Sequence, residues 1–284
     1  MRLVSVALCL LAGAAGCSLV IGTEGLAGEA PGPTPYDAAA FPDGLDASLD
    51  GAQGTDGAAV VDGAALRGCG LYADASFCQD FDDPTTALSA STWTSADTAG
   101  PAGTITLVEA GAASQPNAAR LALLDASNGC ESLPLSKQFQ GARSALKMRV
   151  AVRADGLGTF LAVVAAPSAT PGNSYRVLLA FEKPGSSTGY LSAFVQKHDA
   201  SGFINITSNT LPFTSDPVGK DFVVGVEITA APSASIIVRE GGRALTLTAP
   251  SDLTIVDARV DLGPYCQAVA RTFTFDDLAI WTTP

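Results

Sequence analysis

From Leu146 to Arg153 the chain alternates strictly. Leu146, Met148, Val150 and Val152 are apolar, while Lys147, Arg149 and Arg153 share the opposite parity. A period of two belongs to an extended strand with one buried and one wet face. Further candidate strands, less strictly alternating, include Phe77–Asp83, Tyr175–Glu182, Tyr190–Lys197, Thr254–Asp261 and Thr272–Trp281. Turn formers separate them, among them Pro171-Gly172, Pro184-Gly185, Gly241-Gly242 and Pro250. No window of a dozen residues carries a helical period. About thirteen strands between residues 67 and 284 predict one all-β domain, a two-sheet antiparallel sandwich.

The chain before Arg67 follows neither period. Residues 1–17 have Arg2, an apolar run from Leu3 to Leu11 and then small residues ending at Cys17, the order of an export signal. Residues 18–66 contain no Lys or Arg, but carry Glu24, Glu29, Asp37, Asp43, Asp46, Asp50, Asp56 and Asp62 among Ala, Gly and Pro. Such composition offers no face to bury and predicts a disordered acidic tether. Gly-rich scaling gives it a root-mean-square span of roughly 35–40 Å. The expected domain therefore spans residues 67–284.

Composition narrows the function. Lys and Arg number 16 against 28 Asp and Glu, a formal net charge of -12, which argues against nucleic acid as a partner. The 47% hydrophobic content suffices for a large core, and a single His leaves little for metal chemistry. Apart from Cys9 and Cys17, four cysteines remain: Cys69, Cys78, Cys130 and Cys266. An even number in an exported domain reads as two disulfides with three possible connectivities, the local Cys69–Cys78 closure leaving Cys130 for Cys266. With no C-x-x-C pair, zinc is disfavoured.

Two resemblances follow from these residues. Ala14-Ala15-Gly16-Cys17 resembles the lipobox of bacterial lipoproteins, which implies a lipid on Cys17 and a place in the outer membrane or at the cell surface. Phe77-Cys78-Gln79-Asp80-Phe81-Asp82-Asp83 with Trp93, and Phe273-Thr274-Phe275-Asp276-Asp277-Leu278-Ala279-Ile280-Trp281, resemble the first and last strands of concanavalin A-like jelly rolls. That group includes laminin-G-like modules, lectins, hydrolases and polysaccharide lyases. Combined with the tether, the chain is similar to myxobacterial surface lipoproteins. The resemblance implies a jelly-roll sandwich with a glycan or another surface molecule as partner, and fold by itself gives no function.

Hydrolysis is the least supported activity. None of Glu109, Glu131, Glu182, Glu227 and Glu240 has an acidic residue two or three positions away, whereas retaining glycosidases need two neighbouring carboxylates. Alginate lyases of this fold resemble the chain at Arg143-Ser144-Ala145-Leu146, Gln196-Lys197-His198 and Gly263-Pro264-Tyr265-Cys266-Gln267. The resemblance implies that Arg143 and Gln196 mask a uronate carboxylate, His198 takes the C5 proton and Tyr265 protonates the leaving oxygen. Ala145 departs from that family's Glu, and Asp261-Leu262 from its Lys-Ala. Pro264 and Cys266 are expected to spoil the strand that would present Tyr265.

Glycan binding without catalysis is the leading expectation. Arg143, Lys147 and Arg149 share one strand face, and Tyr190, Gln196 and His198 share another; in a common sheet they would line one groove for an acidic polysaccharide. A purely structural or adhesive sandwich is the other alternative. No cofactor is implied beyond a structural calcium near Asp82 and Asp277, whose oxygens suit that ion. The anchor gives the first prediction. Cys17→Ser should move the protein from the membrane to the soluble fraction in a fractionation assay; unchanged membrane retention would reject lipidation.

Overall fold

The protein is described from a computed structural model. It describes residues 68–96, 99–100, 103–109, 116–124, 131–165, 174–183, 185, 188–199, 202–265, 267 and 269–284. The signal segment, the tether, Cys17, Cys130 and Cys266 lie outside them.

A 3-10 turn at Gly68–Tyr72 precedes the strands. The first six strands are β1 (Phe77–Gln79), β2 (Ser95–Ala96), β3 (Ala99–Gly100), β4 (Gly103–Val108), β5 (Ala118–Leu123) and β6 (Leu135–Gln138). Then come β7 (Ala142–Arg143), β8 (Ala145–Ala154), β9 (Gly158–Ala165), β10 (Ser174–Glu182), β11 (Tyr190–Asp199) and β12 (Gly202–Pro212). The last six are β13 (Asp221–Thr229), β14 (Ser235–Glu240), β15 (Arg243–Leu247), β16 (Ile255–Val256), β17 (Arg259–Leu262) and β18 (Arg271–Thr283).

They form the two antiparallel sheets of a jelly-roll sandwich. A nine-stranded sheet runs β15-β14-β13-β8-β18-β5-β4-β3, with β1 also on β18. A seven-stranded sheet runs β12-β11-β10-β9-β17-β6-β2, and β7 pairs β16 separately. The alternation seen in the sequence holds along the whole of β8, where every second residue is buried.

First and last strands lie side by side, Phe77 opposite Ile280. The Cys69–Cys78 disulfide is present and ties the 3-10 turn to β1. The expected run to Asp83 stops at Gln79, because Phe81 turns to φ 59° and stacks its buried ring on Trp93. The expected strand over Thr254–Asp261 divides at Asp257, φ 48°, into β16 and β17.

The sheets meet through aromatic rings. Phe160 on β9 stacks on Phe181 of β10, centroids 4.4 Å apart, and faces Phe273 at 5.8 Å and Phe275 at 6.5 Å from β18. All four are fully buried. Tyr175 also points inward, and its hydroxyl donates to Asp252 at 2.6 Å. Burial first, and then that carboxylate, push the phenol pKa up to about 12. Phe160→Ala would leave a cavity between the sheets and should cost about 3–5 kcal/mol, read from chemical denaturation. A loss below about 1 kcal/mol would show that the rings do not clamp the sheets.

Candidate functional site

Strand β10 is nearly all apolar, Tyr175-Arg176-Val177-Leu178-Leu179-Ala180-Phe181, with one cation near its start. Tyr175, Val177, Leu179 and Phe181 enter the core. Parity therefore sends Arg176, Leu178, Ala180 and Glu182 to the outer face of the seven-stranded sheet. On β11, Gln196 lies opposite Arg176 and His198 opposite Ser174. On β12, Asn205 lies opposite Gln196 and Phe203 opposite His198.

These side chains form one network. Arg176 Nε donates to Gln196 Oε1 at 2.6 Å, and Arg176 Nη1 to the Tyr265 hydroxyl at 2.5 Å. Gln196 Nε2 donates to Asn205 Oδ1 at 2.7 Å. The Phe203 ring covers the guanidinium face at 3.3 Å and also packs 4.6 Å from the His198 ring. Arg176 is 9% exposed while Phe203 keeps 49% exposure. Burial lowers the guanidinium pKa, and the Tyr265 oxygen and Asp261 carboxylate oppose that shift. Among the described residues no partner binds Nη2, so one donor edge of the arginine remains for a ligand.

Backbone bonds explain why Tyr265 arrives here. β17 ends at Leu262, so Pro264 sits outside the sheet ladder. Gly263 N–H donates to Phe160 at 2.8 Å, Tyr265 N–H to Thr159 at 3.1 Å, and the Pro264 carbonyl accepts from Leu133 at 3.0 Å. Gly263 has φ 127°, and a Cβ there would stand 2.4 Å from the Leu133 carbonyl oxygen. Gln267 Nε2 donates to the Tyr265 carbonyl at 2.8 Å. The expectation that Pro264 would spoil the presentation of Tyr265 is thus corrected, since the lost N–H falls where no ladder bond is required.

The expected common groove is corrected as well. Gln196, His198 and Tyr190 lie on the seven-stranded sheet, whereas β8, with Lys147 and Arg149, lies in the nine-stranded one. Lys147 there pairs with Glu227 at 3.8 Å and sits 5.5 Å from the Trp281 ring, and Arg149 bonds the Tyr72 hydroxyl. Arg143 belongs to β7, where its Nη2 donates to the Gln140 carbonyl at 2.9 Å. It lines a cavity of about 340 Å³ with Ala230, Ile255 and Pro284, which shares no residue with the Arg176 network. The cation beside Gln196 and Tyr265 is Arg176, not Arg143.

Asp82 Oδ1 accepts from Asn117 N–H at 3.2 Å, and Asp277 N–H donates to Asp276. Among the described residues no three His, Cys, Asp or Glu side chains gather as a metal centre.

No family model matches the chain, and no curated protein matches its sequence. Among solved structures it is similar to an endo-β-1,4-glucuronan lyase from the fungus Trichoderma reesei, at 12% identity, TM-score 0.49, over 67% of this chain and 91% of the other. It is also similar to the marine alginate lyase AlyA1 from Zobellia galactanivorans, at 11% identity, TM-score 0.41, over 60% and 79%. A third is alginate lyase Aly36B with an alginate trisaccharide, at 14% identity, TM-score 0.43, over 59% and 82%. Likeness at this level does not bear on activity.

Asp261 adds a titrating group to the same face. It is 2% exposed, accepts from Arg259 Nε at 3.0 Å and is bonded by Ser136. Burial raises its carboxyl pKa against the pull of Ser136, Arg259 and Arg176. A folded pKa above the unfolded one stabilises most at acid pH, and that contribution is lost as pH rises through the folded value. The wild type should therefore gain on Asp261→Asn as pH falls from 7 towards about 4, the ordinary Asp range. Denaturation midpoints of both proteins at the two pH values check this, and a pH-independent difference would contradict it.

Proposed function

We propose that the outer face of the seven-stranded sheet binds an acidic polysaccharide without cleaving it, and that a lipid on Cys17 holds the domain at the cell surface. The supporting observation is the half-satisfied guanidinium of Arg176. Gln196 and Tyr265 fix its plane through Nε and Nη1, which leaves the Nη2 edge for an incoming carboxylate. Arginine binds carboxylates in its own plane, so the Phe203 ring over its face leaves that edge open. The Asn205 amide and the Tyr265 hydroxyl supply polar partners for sugar hydroxyls beside it. Charge alone would not select such a ligand, because the whole chain is acidic.

A lyase is the second reading, favoured by the arrival of Tyr265 and His198 at the same network. In that reaction a base removes the C5 proton, the C4–O bond breaks, and an acid protonates the departing oxygen. The base must reach a carbon next to the bound carboxylate. Phe203 packs against both His198 and the guanidinium, so an aromatic ring contacts both the base and the cation that the reaction would bring to one sugar. That ring is why binding is the better reading.

Glucuronan, alginate and hyaluronan should be titrated against the full protein by calorimetry, with ultraviolet absorbance followed for unsaturated uronate. At least one polymer should bind, more weakly at higher salt. Arg176→Ala should lower its affinity about tenfold or more, the scale of a charge-assisted bond. Tyr265→Phe, which keeps the ring, should weaken binding less. A rise in absorbance that His198→Ala abolishes would replace this reading with the lyase, and the absence of all binding would reject both.

A further inference from the structure

We infer that this face selects a heteropolysaccharide, placing a uronate at the Arg176 end and an uncharged sugar at the other. The inference rests on the polysaccharide reading above and adds which polymer fits.

The β10–β11 register is unbroken from Ser174 opposite His198 to Glu182 opposite Tyr190. The outward residues of β10 therefore run Arg176, Leu178, Ala180, Glu182, and their partners on β11 run Gln196, Phe194, Ser192, Tyr190. Six residue steps along the strand separate Arg176 from Glu182, about 20 Å, which is room for several sugar rings. Chemistry changes along this path. Cation and amides occupy the first end. Leu178, 7% exposed, and the half-buried Phe194 form an apolar middle suited to the C–H faces of a sugar ring.

The far end carries the opposite charge. Glu182 accepts the Ser192 hydroxyl and is also bonded by Tyr190. Both donors hold its carboxylate on the sheet face. Ser192 is 1% exposed, so this arrangement is fixed from below. The cations next to it in the chain and across the sheet have partners of their own. Arg243 bonds Glu240 and the Pro212 carbonyl, and Lys183 pairs with Asp216. A carboxylate on every ring would set one uronate against Glu182, and like charges in contact repel. A polymer with uronates separated by neutral sugars meets Arg176 with its charge and Glu182–Tyr190 with hydroxyl groups that donate to the carboxylate.

Calorimetric titration of the full protein with hyaluronan oligosaccharides, which alternate uronate and neutral sugar, and with glucuronan oligosaccharides of equal length tests this. The wild type should prefer hyaluronan. Glu182→Gln keeps the shape and an acceptor for Ser192, and should shrink the preference roughly 2- to 5-fold by improving glucuronan binding, the size of one exposed charge pair. Equal affinity of the wild type for the two, or an unchanged preference in Glu182→Gln, would overturn the selection while leaving polysaccharide binding intact. If neither oligosaccharide binds, or Arg176→Ala binds both as the wild type does, the underlying reading fails and the selection with it.

Discussion

Phe160 is the contact on which the other parts depend. Its ring lies against Phe181 in its own sheet and against Phe273 and Phe275 from the opposite one. Interiors are packed at crystal density, so a ring held on several sides fixes the backbone that carries it. That backbone does a second task here: the Thr159 and Phe160 carbonyls accept from Tyr265 and Gly263. The same two residues thus join the sheets and suspend the segment that delivers Tyr265 to the outer face.

A charged group on a mostly covered face has to be answered by partners, since its desolvation is costly. Arg176 is contacted directly by an amide, a phenol oxygen and the ring of Phe203, all neutral, while the Asp261 carboxylate acts on it only through space. A carboxylate bonded straight to its side chain would have cancelled the charge and closed the site. Asp261 sits on the same face but is bonded by Arg259. The network therefore supports the guanidinium without neutralising it, which is the condition for binding an anion from outside.

Sheet architecture was legible in the sequence because a period of two survives wherever one face is buried. Leu146 to Val152 show it most cleanly, and the pairing of Phe77 with Ile280 follows the aromatic and acidic signals at the two ends. What failed was the assignment of strands to sheets. Parity places Lys147 and Arg149 on one face and Gln196 and His198 on another, but does not say that β8 joins β13 and β18 while β11 joins β10 and β12. Arg176 carried a signal that could have been used, as a lone cation in the otherwise apolar run from Tyr175 to Phe181. Phe203 carried none, because an aromatic residue opening a strand reads as core until its neighbours are known.

The covalent tie between Cys69 and Cys78 has a mechanical meaning. Tension applied to the chain ahead of Gly68 reaches the crosslink before it can unwind the 3-10 turn beyond Cys69, and passes directly to Cys78. Cys78 is the middle residue of β1, opposite Ala279 in β18, which also pairs β8 and β5. Load that reaches Cys69 is thus shared with an interior strand of the larger sheet, so the first described residues of the chain are tied to the middle of its fabric and not to its margin.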